Sequence, residues 1–157
     1  MALILSGDTG VPASGMPAGS VIQTVQASYS TSVSTSSSSY VTTNLTASIT
    51  PTSATSKILI TYTLGDVSTS SPNSGVSVAV FKNGSQLTPQ TNSRLCYIDT
   101  SATEAFAINS GPSHYYDSPA TTSSTTYAVY FNNGGGGTAT VFRDNTYGSI
   151  LLQEIKV

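Results

Sequence analysis

The chain has no tryptophan, one cysteine, one histidine and few charges. A lone Cys96 leaves nothing for an internal disulfide to pair with, which excludes a stapled secreted mini-domain. Five Lys and Arg scattered over 157 residues cannot build the basic patch that phosphate binding needs, so nucleic acid is not expected as a partner. Charged residues are 8% of the chain, against about 25% in an ordinary soluble domain. The net charge is −2 and the pI about 4.9. The opening "MALILSGDTG" has an apolar run of only Ala2 to Leu5 and no basic residue before it. That is too short for a secretory signal or a membrane span, so synthesis in a cytoplasm and no membrane contact are expected. No apolar stripe of 3.6-residue period exceeds one turn, and helix content should be close to nil.

Apolar material is nevertheless sufficient. Hydrophobic residues are 38% of the chain, mean hydropathy is +0.03, and a domain of this length buries roughly 68–70% of its unfolded surface. Disorder comes from low hydrophobicity with high net charge, and neither holds. The segment from Pro17 to Ile60 is dense in Ser and Thr, yet apolar residues return at alternate positions. Leu45, Ala47 and Ile49 alternate with Asn44, Thr46, Ser48 and Thr50, and "KILITYTL" continues the pattern. Period two marks a strand with one face in and one face out, and Thr, Val, Ile and Tyr suit a half-buried pleat. Strands are expected at about 19–29, 40–50 and 57–64, with Ser34 to Ser39 and Thr50 to Ser56 as loops.

Later segments repeat the pattern. "SVAVFKNGSQL" reads as a hairpin turning at Asn83-Gly84. "RLCYIDT" and "EAFAINS" give one or two strands near 94–109. "TTYAVYFNN" sets Tyr127, Val129 and Phe131 on one face, Gly134 to Gly137 end it, "TATVFRD" returns, and "SILLQEIKV" is a last strand. About nine short strands make the chain all-β, an antiparallel β-sandwich or jelly roll. Residues 1–18 read as a short extended N-terminal arm and 19–157 as the domain.

Few residues could do chemistry. His114 sits in "GPSHYYDSP", which reads as a loop, and could ligate a metal with Asp117. A site needs three or four donors, and none follows nearby. Tyr115 and Tyr116 suit an interface or ligand contact, with a packed strand end as the plain reading. Cys96 in "LCYI" reads as a small buried apolar residue. Asp66, Asp99, Glu104, Asp117, Asp144 and Glu154 fall mostly at strand ends, and a glycosidase pair would need two of them roughly 5–10 Å apart. "NNGGGG" lacks the Lys-Ser/Thr of a phosphate loop. The sequons "NLT" and "NGS" mean nothing without a secretory route. No cofactor, metal or catalytic residue is expected.

The surface carries the remaining information. Sheet proteins guard their edges with Lys, Pro and bulges, and this chain has only three Lys. Neutral, hydroxyl-rich edges suggest that partner subunits cover them, most simply in a symmetric homo-oligomer. "PAGSVIQTVQASYSTSV", "LTASITPTSATSKILI" and "YGSILLQEIKV" resemble a pattern of small β-rich virion proteins of tailed bacteriophages of aquatic bacteria. Ser48 to Ile60 is the most specific part. The resemblance implies trimers of sandwich or jelly-roll domains and no catalytic motif. It implies one of two roles. The first is a capsid cement or decoration protein, a homotrimer seated on the major capsid protein at the outer surface of the virion. The second is a tail-fibre tip contacting a host surface receptor. A Met start with a short arm and one domain, without a shaft, favours cement. Leu3, Ile4, Leu5 and Val11 of the arm are the expected capsid or neighbour anchors.

Overall fold

The computed structural model of the chain describes residues 15–87, 94–97, 105–107 and 110–157. The alternating segments become strands: β1 (Val21–Tyr29), β2 (Val33–Thr35), β3 (Val41–Ile49), β4 (Lys57–Leu64), β5 (Val67–Thr69), β6 (Gly75–Lys82), β7 (Ser85–Gln86), β8 (Arg94–Tyr97), β9 (Ala105–Ala107), β10 (Ser110–Asp117), β11 (Thr125–Asn133), β12 (Ala139–Val141) and β13 (Gly148–Ile155). No α-helix occurs among the described residues.

One sheet has the order β1-β13-β4-β10, and the facing sheet runs β3-β11-β6 with β7 and β8 sharing the far edge of β6. All pairings are antiparallel. The chain passes from sheet to sheet at nearly every step, which is the double Greek key of a jelly roll. A third sheet, β2-β12-β5-β9, repeats the order of the first. Each of its strands is the chain continuation of the strand at the same place in the long sheet. The short sheet is therefore the long one carried past a corner.

That corner is built from backbone that few side chains tolerate. Phe142, Asp144 and Asn145 have φ of 54°, 56° and 59°, in the left-handed region where L-residues are crowded. Gly148 follows because a Cβ there would run into the Phe142 ring and come within 3.0 Å of Thr63 O. At the opposite end, Asn83 (φ 48°) and Gly84 (φ 83°) make the expected two-residue hairpin turn.

The core lies between the two long sheets. Leu45, Ile49, Ile58, Ile60, Leu64, Val78, Tyr127, Val129, Phe131, Ile150 and Leu152 are fully buried or nearly so, each contributing about 1.5–3 kcal/mol on the transfer scale. The short sheet adds Val67, Ala139 and Val141, and Phe142 from the corner packs its ring 5.5 Å from Tyr29. On the outer faces, hydroxyls pair across strands where other proteins place charges. Ser48 meets Thr126 at 2.7 Å, Ser34 meets Thr140 at 2.8 Å, and Thr63 meets Ser149 at 3.1 Å. Such cross-strand pairs contribute roughly 0.2–1 kcal/mol each.

The sequence reading needs two corrections here. "HYYD" is not a loop: it is the body of β10, paired to β4 from Ser113↔Tyr62 to Asp117↔Ile58. Ser34 to Ser39 is not all loop, because β2 takes Val33–Thr35 onto β12. In both cases pairing with a distant strand overrides a local loop signal.

Candidate functional site

Strand parity separates the triplet that the sequence grouped together. His114 and Tyr116 point outward from β10 and are exposed, Tyr116 at 61%. Tyr115 points inward and stacks on Tyr62, ring centroids 6.2 Å apart at 5°. Burial, then the neighbouring Tyr115, pushes the Tyr62 phenol well above its ordinary value. His114 and Asp117 are three positions apart on one strand and so fall on opposite faces, which removes the metal pair. No cluster of three His, Cys, Asp or Glu exists among the described residues. Tyr116 sits opposite Leu59, and His114 opposite Thr61, which in turn faces Leu151. The outer face of this sheet is thus a half-apolar surface of Tyr116, Leu59 and Leu151 among Thr, Ser and Gln, with Lys57 at its margin.

Asp117 turns inward at the rim of the sandwich. Lys82 on β6 approaches its carboxylate at 3.0 Å, and Tyr127 on β11 donates to Oδ2 at 2.6 Å. Burial raises the Tyr127 phenol above its usual range, and the hydrogen bond to Asp117 with its charge raises it further. The three side chains tie the β10 edge to the opposite sheet.

Glu154 does the same on the other side without a cation. It is fully buried. Gln23 Nε2 donates to Oε2 at 2.6 Å, while Thr52 N and Thr52 Oγ1 donate to Oε1 at 2.8 Å each. Burial works to raise this carboxyl, but hydrogen bonds from Ser56, Gln23 and Thr52 prevail and hold it below the usual carboxylate range. Beside it, the loop Thr52–Ser56, Ile22 and Lys156 line a cleft of about 250 Å³. Lys156 Nζ donates to Met16 O there.

The other candidates resolve individually. Cys96 lies in β8 opposite Val76. Asp144 is exposed beside Arg143. Asp99, Glu104, Leu3, Ile4, Leu5 and Val11 lie outside the described residues. The glycine run serves the fold: Ser74 Oγ donates to Asn133 Oδ1 at 2.7 Å, and Asn133 Nδ2 donates to Gly136 O and Gly137 O. The roles of Glu154 and Asp117 escaped the sequence reading, although parity marks both. Glu154 is in phase with Ile150 and Leu152, and Asp117 with Tyr115, and an acid on the inward face requires donors.

No family model matches this chain, and no curated protein matches it. Among solved structures it is similar to one described as the structure of infectious bursal disease virus Gt strain, at 13% identity and a TM-score of 0.41. The alignment covers 99% of this chain and 46% of that one, so the chain spans less than half of its length. The jelly-roll assignment stands on the strand pairing of the chain itself.

Proposed function

We propose that this chain is a structural virion protein, a cement or decoration protein that binds the outer capsid surface as a trimer and stabilises the head. The observation that carries this reading is a jelly-roll body whose outer faces are coated with paired hydroxyls and half-apolar side chains instead of charges. Such faces suit seating against protein neighbours, since desolvating them strands few ions. The resemblance of the Ser48 to Ile60 segment to phage virion proteins points the same way. Residues Leu3, Ile4, Leu5 and Val11 are the proposed anchors on the major capsid protein, and several weak seats per trimer add by multivalency.

A second reading is a tail-fibre tip that contacts a host surface receptor. It is favoured by Tyr116, exposed on an outer face beside His114. Labelled antibody viewed by electron microscopy separates the two, with copy number per particle as the second measure. Label over the whole capsid shell and hundreds of copies are expected. Label at the tail alone, with tens of copies or fewer, overturns cement and selects the tip. Removing residues 1–18, the arm, should abolish particle binding while leaving the β spectrum unchanged.

A further inference from the structure

From Thr9 to Ser56 the sequence contains no Asp, Glu, Lys, Arg or His. The described part of that stretch builds β1, β2 and β3, and β1 and β3 form one flank of the sandwich. β1 pairs only β13, and β3 pairs only β11, so each leaves one edge without a strand among the described residues. The two edges are fastened together. Gln23 Nε2 donates to Thr50 O at 2.7 Å, and Asn44 Nδ2 to Tyr29 OH at 3.3 Å.

Edges normally carry guards against pairing with other chains: Lys, Pro, bulges or an inward charge. The opposite edge, β10, has them. Pro112 lies within it, its register is irregular between Ser110 and Ser113, Asp117 points inward, and Pro119 follows. β1 has no Lys, Pro or acid over nine residues, and its register shifts only at Val21–Gln23.

We propose that the β1 edge is the surface by which this chain pairs with a second copy of itself, the copy presenting the β3 edge of its own flank, whose strands also carry no ion. Charge matching selects that occupant. A partner strand carrying Lys or Glu would bury those charges against an edge with no counter-ion, whereas the β3 strand of another copy has none to bury. The edge offers a run of ~30 Å for main-chain pairing at about 3.3 Å per residue. Joined β1 edge to β3 edge, the contact is heterologous, and three copies turned about one axis close into a ring. The inference deepens the proposed trimer by naming its contact surface, and it does not depend on where in a virion the protein sits.

The test uses purified full-length protein. Thr24, Gln26 and Ser28 are exposed on β1. The variant Thr24→Lys/Gln26→Lys/Ser28→Lys should fall from a multiple of 16.1 kDa to that mass by light scattering, with an unchanged far-ultraviolet spectrum. His114→Lys/Tyr116→Lys on β10 should keep the assembled mass. A wild-type monomer at micromolar concentration overturns the proposal, as does a β10 variant that dissociates while the β1 variant does not. If the triple variant fails to fold, hydrogen exchange on the wild type decides. Protection of every β1 amide supports pairing, and free exchange of alternate amides overturns it. Wild-type protein that is monomeric in solution but protected along β1 on particles assigns the edge to a capsid protein, which overturns self-pairing and leaves the virion reading intact.

Discussion

The two flanks of the sandwich are each closed by one inward carboxylate, and the two are held in opposite ways. On the β1 flank, Glu154 is fully buried and meets only neutral donors: an amide, hydroxyls and a backbone N–H. On the β10 flank, Asp117 is near the rim and takes a cation, Lys82, together with the Tyr127 phenol. Dipoles aimed from a rigid loop can replace a counter-ion in a dry site. At a wetter rim an ion pair is cheap to form and contributes little. The flank whose carboxylate has no cation thus depends on geometry, and the flank with an ion pair tolerates looseness.

Substitutions test that contrast. Glu154→Ala should destabilise most, by about 3 kcal/mol in urea unfolding, since it leaves the donors of Gln23 and Thr52 buried without acceptors. Asp117→Ala should cost about 2 kcal/mol, because the buried Tyr127 hydroxyl loses its acceptor while Lys82 can reach water. If Asp117→Ala proves costlier than Glu154→Ala, the assignment of the stiffer flank is reversed. pH sharpens the comparison. The folded Glu154 carboxyl lies below its unfolded value, so its stabilisation is complete above about pH 4.3 and is lost as pH falls through the folded value. Glu154→Gln should therefore flatten the acid limb of the stability profile. An unchanged acid limb would show that other groups set it. The smallest effect belongs to Lys82→Met, at about 0.5 kcal/mol and shrinking as salt is added, since Lys82 is 31% exposed.

Much of this was legible in the residues. The strands at Lys57–Leu64 and Thr125–Asn133 follow from alternation alone, because each spends a long run with one face in the core. The hairpin at Asn83-Gly84 follows from its φ demands. The strand β10 was hidden because Pro112 lies within it and Pro119 follows it, and its partner β4 lies some fifty residues away in the chain. β2 and β5 were hidden because three residues cannot display a period, whereas β12 was expected from "TATVFRD" after the glycine run. At the site, Tyr116 lies on the surface, and its neighbours Leu59 and Leu151 come from other strands. The donors of Glu154 come from β1 and the loop after β3, and no local pattern reveals which distant hydroxyls will converge on an acid.

The corner between the long and short sheets has a consequence for anyone redesigning the protein. At least three crossings, 30–32, 65–66 and 142–147, turn side by side, so lengthening one alone would throw the halves of the molecule out of step. Foreign peptides should be grafted at the exposed Thr122–Ser124 turn between β10 and β11, where a single connection between strands can grow without asking its neighbours to follow.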